Sequence, residues 1–215
     1  MATVYTLHPE TPQTRTVGQI RDDLRQGAVM LYPTDTVYAI GCDLTAKSAV
    51  ERVRQIKRIS SDKPLTFLCS SLSNIASYAH VSDAGYRLIK RLIPGPYTFL
   101  LPATKLVPKL VMDPKRKTTG IRVPNHAICQ ALLGALENPV ISTSASTVFG
   151  QSGERVSKAE LFDHLDKLVD IIIDDDSAVG FQVSTMLDLT GEEPILLRKG
   201  LGCEAVSGLV AEAER

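Results

Sequence analysis

Apolar residues recur at helical spacing over TRTVGQIRDDLRQG, where Val17, Ile20 and Leu24 share one face and Gly27 supplies the stop. The following AVMLY is short and continuous, as a buried strand would be. TAKSAVERVRQIKR predicts a second helix, with Thr45 as its N-cap and Ala49, Val53 and Ile56 turned inward. LTFLC reads as a strand, and SDAGYRLIKRLIPG as a helix that Pro94 must end. YTFLLPA and TTGIRVP read as strands, and NHAICQALLGAL as a helix capped by Asn125. PVISTSAS predicts a strand entering a loop of small residues, SKAELFDHLDKLV a helix, and VDIIID, STMLDL and PILLRKG the remaining strands.

Helices and strands alternate early in the chain and strands crowd together late. That order predicts an α/β protein, a single domain built on an open twisted mixed sheet with flanking helices. Ligands in such folds sit beyond strand ends, where loops converge. The polar segments after AVML, after PVI and around GIRVP are therefore expected to wall one cleft. The first of these, YPTDTVYAIGCD, reads as a strand-to-helix crossing unusually rich in threonine, tyrosine and aspartate.

Composition narrows the function classes. With 215 residues and 44% hydrophobic content, the chain can bury a substantial core. MATVYTLHPE lacks the basic and apolar regions of a signal peptide, and no apolar run approaches the roughly 20 residues a membrane span needs. The four cysteines are scattered without a CxxC pair, which predicts buried free thiols and a cytoplasmic protein with no membrane partner. Net charge is zero, yet residues 1–125 hold 18 Lys+Arg against 9 Asp+Glu, and the remainder reverses that balance. The asymmetry hints at an anionic partner for the first part of the chain.

The chemistry on offer is cationic and hydroxylic. Phosphate-loop and dinucleotide fingerprints are missing, and His8, His80, His126 and His164 lack metal-ligand spacing, so each reads as a surface or satisfied residue. Asp174, Asp175 and Asp176 read as a solvated turn or, alternatively, a magnesium contact. Lys57 and Arg58 end a predicted helix, with Lys63 just past a turn. Arg122 and Arg198 interrupt apolar strands, where an arginine can hold a phosphate or carboxylate bidentately. ISTSASTVFGQSG adds Ser142, Thr143, Ser144, Ser146, Thr147 and Ser152. Cations and small hydroxyls without a nucleophile elbow suit the alignment of a polyphosphate better than acyl hydrolysis.

The segments YPTDTVYAIGCD, KRISSDKPL, PGPYTFLL, GIRVPNH, STSASTVFGQSG, STMLDL and ILLRKG, spread over about residues 15–202, resemble in order and content the YrdC-like family. The HPE opening and PKRKTTGIRVP resemble its YciO branch. The resemblance implies a YrdC-like fold with a concave basic cleft. It also implies an activity, nucleotidyl transfer from ATP with magnesium, in which threonine and bicarbonate become threonylcarbamoyl-adenylate for tRNA modification.

By the same resemblance Lys57 and Arg58 would be catalytic, holding the phosphates. Lys63, Thr118, Ser144, Ser146, Ser152 and Arg198 would contact ATP. Thr34, Thr36, Arg122, Ser142 and Ser184 would bind threonine. The sequence departs from the family pattern at Ile59, where an arginine is usual, at Ser146 in place of asparagine, and at Leu68 in place of histidine. A non-catalytic module binding tRNA or double-stranded RNA through the basic first half is the alternative reading.

Overall fold

The computed structural model describes residues 1–60, 63–145 and 156–212. Its sheet strands are β1 (Thr3–Thr6), β2 (Met30–Tyr32), β3 (Ala39–Gly41), β4 (Thr66–Leu68), β5 (Tyr97–Pro102), β6 (Thr118–Arg122), β7 (Val140–Ser144), β8 (Ile171–Asp174), β9 (Thr185–Asp188), β10 (Ile195–Arg198) and β11 (Ala211–Glu212). The helices are α1 (Thr14–Arg25), α2 (Lys47–Lys57), α3 (Leu72–Tyr78), α4 (Asp83–Leu92), α5 (Ala127–Leu136) and α6 (Lys158–Leu165). The strands form one mixed sheet in the order β1-β8-β2-β3-β7-β4-β6-β5-β9-β10-β11. The expected open mixed sheet with flanking helices is therefore observed.

Alternation along the strands sorts side chains onto two faces. One face carries Leu31, Ile40, Ile141, Phe67, Ile121, Phe99 and Leu187, all buried in a core shared with α2, α4 and α6. On the other, Met30, Tyr32, Ala39, Leu68, Val140, Ile171 and Ile173 pack beneath α1 and α5. Those two helices cover only part of that second face. Beyond them it presents Ser142, Thr66, Gly120 and Leu100, which neighbour one another across β7, β4, β6 and β5. A sheet with one face sealed and the other half-covered leaves a polar floor open to ligands.

Several elements differ from expectation. The polar crossing after AVML is not a single loop, because its TVYAIG portion returns as β3, antiparallel to β2 and β7. β1 shows no apolar pattern because three of its four residues are exposed at the sheet edge. Thr45 does not cap α2. The N-cap is Ala46 without a side-chain bond, while the Thr45 amide and hydroxyl both donate to Asp43 Oδ1 at 2.8 Å. Asn125 does not cap α5 either: the N-cap is His126, without a side-chain bond, and the Asn125 backbone amide donates to Asp35 Oδ2 at 3.0 Å. Three cysteines are buried and Cys203 is half-buried, all of them free. The other predicted helix faces hold, with Val17, Ile20 and Leu24 buried on α1 and a full capping box at Ser157 on α6.

Truncating Phe99, which is fully buried at the sheet centre, to alanine is expected to cost about 3–5 kcal/mol in urea unfolding. The Leu106→Ala substitution, at a 63% exposed site, is expected to stay within about 0.5 kcal/mol. Equal losses at the two positions would contradict the assigned core.

Candidate functional site

Register across the sheet brings distant chemistry into one row. Leu68 on β4 opposes Arg122 on β6, Arg122 opposes Thr98 on β5, Thr98 opposes Met186 on β9, and Met186 opposes Arg198 on β10. Opposed residues share a face, so Arg122, Thr98 and Arg198 line the same floor.

Arg122 is only 6% exposed and its charge is met at close range. Its Nη2 pairs with Asp35 Oδ1, Nη1 donates to Thr36 Oγ1 at 2.8 Å, and Nε donates to the Gly95 carbonyl at 3.4 Å. Thr34 orders the same turn, its hydroxyl donating to the Val37 carbonyl at 2.7 Å and lying 3.1 Å from Thr36 Oγ1. The segment between β8 and β9 presses on this turn from outside. A Cβ on Gly180 would sit 1.8 Å from the Thr36 carbonyl oxygen, so only glycine permits the approach.

Arg198 forms the second cationic pole. Its Nε donates to the Ser184 carbonyl at 3.1 Å and its Nη2 to Ser184 Oγ at 3.0 Å, and that hydroxyl lies 2.8 Å from Thr98 Oγ1. Burial first, and then the neighbouring Arg122 charge, lowers the Arg198 pKa below the usual guanidinium value. Two guanidiniums close enough to repel favour an anion between or above them.

Lys57, in the last turn of α2, is the third pole, and its Nζ donates to the Ser144 carbonyl at the end of β7. Burial pushes its amine down to about 8. Ser142 lies two residues earlier on the same face, and the buried Tyr32 phenol donates to the carbonyl of the adjacent Ile141 at 3.3 Å. Thr118 is buried at the start of β6 on that same face as Gly120 and Arg122.

Thus Thr34, Thr36 and Arg122 form one bonded group and Thr98, Ser184 and Arg198 a second, set side by side where Arg122 on β6 opposes Thr98 on β5. Lys57, Ser142, Ser144 and Thr118 border them along β7 and β6. Arg58 and Lys63 are more exposed than these four. Arg58 is exposed and closes α2 in the left-handed conformation at φ 50°, and Lys63 is exposed just beyond the turn. Ile59, in the register where the family has arginine, packs against the core. Ser146 and Ser152 lie outside the described residues.

Two groups of this neighbourhood, Asp35 and Thr98, were not singled out from sequence, and Asp175 takes a different place from the one expected. Asp35 is the carboxylate that compensates Arg122, and Thr98, opposite Arg122 in the sheet, reaches the Ser184 hydroxyl to which Arg198 donates. Asp175 is buried, not part of a solvated turn, because Tyr38, Ser177 and His126 surround it. It accepts from the Tyr38 phenol at 3.2 Å and the Ser177 hydroxyl at 2.6 Å, and stands 3.4 Å from His126 Nε2. Burial alone would raise the Asp175 pKa, but the Ser177 hydrogen bonds and His126 outweigh it and the net shift is downward. Burial lowers the His126 pKa, against the opposing pull of Asp175 and Asp35. Asp35 lay within the quoted crossing, but nothing local shows that its partner is 87 positions away.

A half-open sheet face with two arginines, a desolvated lysine and converging hydroxyls marks an α/β protein with a site chemically suited to anions. Comparison with known proteins makes this specific: residues 22–200 match the Sua5, YciO and YrdC family model described as telomere recombination, and the chain belongs to that family. It is 39% identical to YciO of Escherichia coli K12 over 202 residues, covering 94% of this chain and 97% of that protein. The crystal structure of E. coli YciO superposes with a TM-score of 0.86 over the same shares. A threonylcarbamoyl-AMP synthase of Vibrio vulnificus is 31% identical over 85% of this chain and 97% of its own length. Sua5 of Pyrococcus abyssi complexed with L-threonine superposes at a TM-score of 0.84 with 26% identity, over 99% of this chain and 63% of that one.

Asp35 and Arg122 are both largely buried, so removing one partner leaves an uncompensated charge. Asp35→Ala is expected to cost about 3 kcal/mol or more, and Asp35→Ala/Arg122→Met clearly less than the sum of the single losses. Additive losses in chemical denaturation would contradict a direct pairing.

Lys57 gives a pH test. Its folded pKa of about 8 lies below the ordinary 10.5, so the unfolded chain holds more protons between those values. The penalty for burying the charged amine is complete below pH 8 and is relieved as pH rises through that window. The stability difference between the native chain and Lys57→Met is therefore expected to move in favour of the native chain from pH 8 to 10. A difference independent of pH would contradict the assigned burial.

Proposed function

We propose that this protein binds ATP and an amino acid, threonine in the first instance, on the open half of its sheet and joins them with bicarbonate into a carbamoyl-adenylate, releasing pyrophosphate. The observation that carries the reading is the Arg122–Thr98–Ser184–Arg198 row beside the Thr34–Thr36 turn. Membership of the family, and likeness to a protein crystallised with L-threonine, support the same substrate class.

In this reading Arg122 takes the substrate carboxylate through the guanidinium hydrogens left over from Asp35, Thr36 and Gly95. Thr34, Thr36, Ser142 and Ser184 hold the amino-acid end. The amine adds to carbon dioxide derived from bicarbonate and loses a proton, giving a carbamate. A carbamate oxygen then attacks the α-phosphorus, the bond to the β-phosphate oxygen breaks, and pyrophosphate leaves. The step asks for in-line alignment and screening of negative charge more than for a strong base. Lys57, Arg58, Lys63 and Arg198 supply that screening, with Thr118 and Ser144 beside the nucleotide. Among the described residues no three His, Cys, Asp or Glu side chains converge on a metal site. Magnesium would therefore arrive on the triphosphate, where it neutralises phosphate charge.

A second reading has its own observation. Asp113 accepts from the Lys115 and Arg116 amides at 2.8 Å each, and its carbonyl accepts from the Lys117 amide at 2.9 Å. This pinned turn holds Lys115, Arg116 and Lys117 exposed at the entrance to β6, a display suited to the phosphates of tRNA or double-stranded RNA.

Incubation with magnesium, ATP, bicarbonate and single amino acids, following pyrophosphate, tests the first reading. Threonine-dependent release is expected, falling about 10²-fold or more in Lys57→Ala and losing threonine saturation in Arg122→Met. No release with any amino acid, together with RNA binding that weakens steeply with salt and is lost when Lys115, Arg116 and Lys117 become alanine, would establish the second reading instead.

A further inference from the structure

Arg54 lies on the side of α2 away from solvent, only 7% exposed. An apolar residue would be the ordinary occupant there, since charge is costly to bury. Instead its guanidinium gathers carbonyls from two separate loops. Nη1 donates to Ser60 O at 2.8 Å and Nη2 to Lys63 O at 2.8 Å, both in the turn that follows α2. Nε donates to Leu110 O at 3.0 Å, and Nη2 also reaches Leu110 O.

The two loops it joins carry different parts of the proposed nucleotide end. One starts immediately after Lys57 and Arg58 and delivers Lys63. The other contains Leu110 and runs through the Asp113 turn into Thr118, whose carbonyl accepts from the Asp113 amide at 2.8 Å. A backbone bond from the Leu65 amide to the Val111 carbonyl, at 2.9 Å, continues the stitch. A planar fork with five donors can span three carbonyls in fixed directions, whereas an ammonium is a point donor with three hydrogens and cannot reproduce that span.

We propose that Arg54 is a positioning residue for the nucleotide: by clamping the Ser60 and Lys63 carbonyls to that of Leu110, it fixes Lys63 relative to Thr118 and so sets ATP affinity without touching ATP. The inference rests on the ATP-binding reading above. It leaves the amino-acid end alone, because the bonds described run to Ser60, Lys63 and Leu110, away from the Thr34–Thr36 turn, Arg122 and Ser184. A merely structural role for Arg54 would weaken the fold and both ligands together; a positioning role separates them.

The test is equilibrium binding of magnesium-ATP and of L-threonine to the full chain, to Arg54→Lys and Arg54→Gln, to Lys63→Ala, and to the combination of Arg54→Lys with Lys63→Ala. ATP binding is expected to weaken about tenfold in whichever Arg54 variant retains a cooperative melt, with threonine binding changed less than twofold. In the Lys63→Ala background the same Arg54 change is expected to lose most of its effect, because two residues acting through one contact are not additive. ATP affinity unchanged in a folded Arg54 variant, equal weakening of both ligands, or full additivity with Lys63→Ala would each overturn the proposal. Failure of the native chain to bind ATP at all would instead overturn the functional reading on which it stands.

Discussion

The constraint on which the site depends is a single buried charge. Arg122 sits on a central strand of an otherwise apolar sheet, where an unmet guanidinium would be too costly to keep. Its neutralisation by Asp35 and Thr36 ties β6 to the turn between β2 and β3. The same Asp35 accepts from the Asn125 amide and so binds the approach to α5 as well. One ion pair thereby locks three chain segments together, and the polar crossing keeps its shape because it is the counter-charge.

The sheet then distributes the remaining chemistry. One face is covered by the larger apolar core, while the half-covered face holds the hydroxyls of Thr98 and Ser142 on β5 and β7, with Ser184 just before β9 and Thr36 in the turn between β2 and β3. Close packing at Gly180, and at Gly200 against the Val183 carbonyl, where an added Cβ would approach to 2.3 Å, brings loop backbone onto that floor. Positive charge enters from three directions, α2, β6 and β10, and none of the three cations is free to swing away. Preorganised charge of this kind favours reactions in which anions must be brought together.

Much of this was legible in the sequence and some was not, for physical reasons. Helix faces such as Val17, Ile20 and Leu24 announce themselves because burial repeats at helical spacing. Arg122 and Arg198 stood out because they break apolar strands. β1 was invisible because an exposed edge needs no apolar alternation, and β3 because three residues inside a polar stretch show no period. α3, a seven-residue helix with one buried residue, gives no stripe to detect. The roles of Asp35 and Asp175 depend on partners far along the chain, and local composition made Asp175 look solvated when Tyr38, Ser177 and His126 enclose it. The caps expected at Thr45 and Asn125 fall one residue later, at Ala46 and His126, and neither uses a side-chain bond, so no capping residue type marks them in the sequence.

The central claim is that the open half of the sheet is one joint seat for a nucleotide and an amino acid. Titrating magnesium-ATP and L-threonine into isotopically labelled protein, with amide shifts followed by NMR, tests it most directly. The account predicts that threonine perturbs Thr36, Arg122 and Ser184, that ATP perturbs Lys63, Thr118 and Ser144, and that Thr98 and Gly120 between them respond to both. Perturbations confined to surfaces away from this row, or saturating binding that leaves it unmoved, would contradict it.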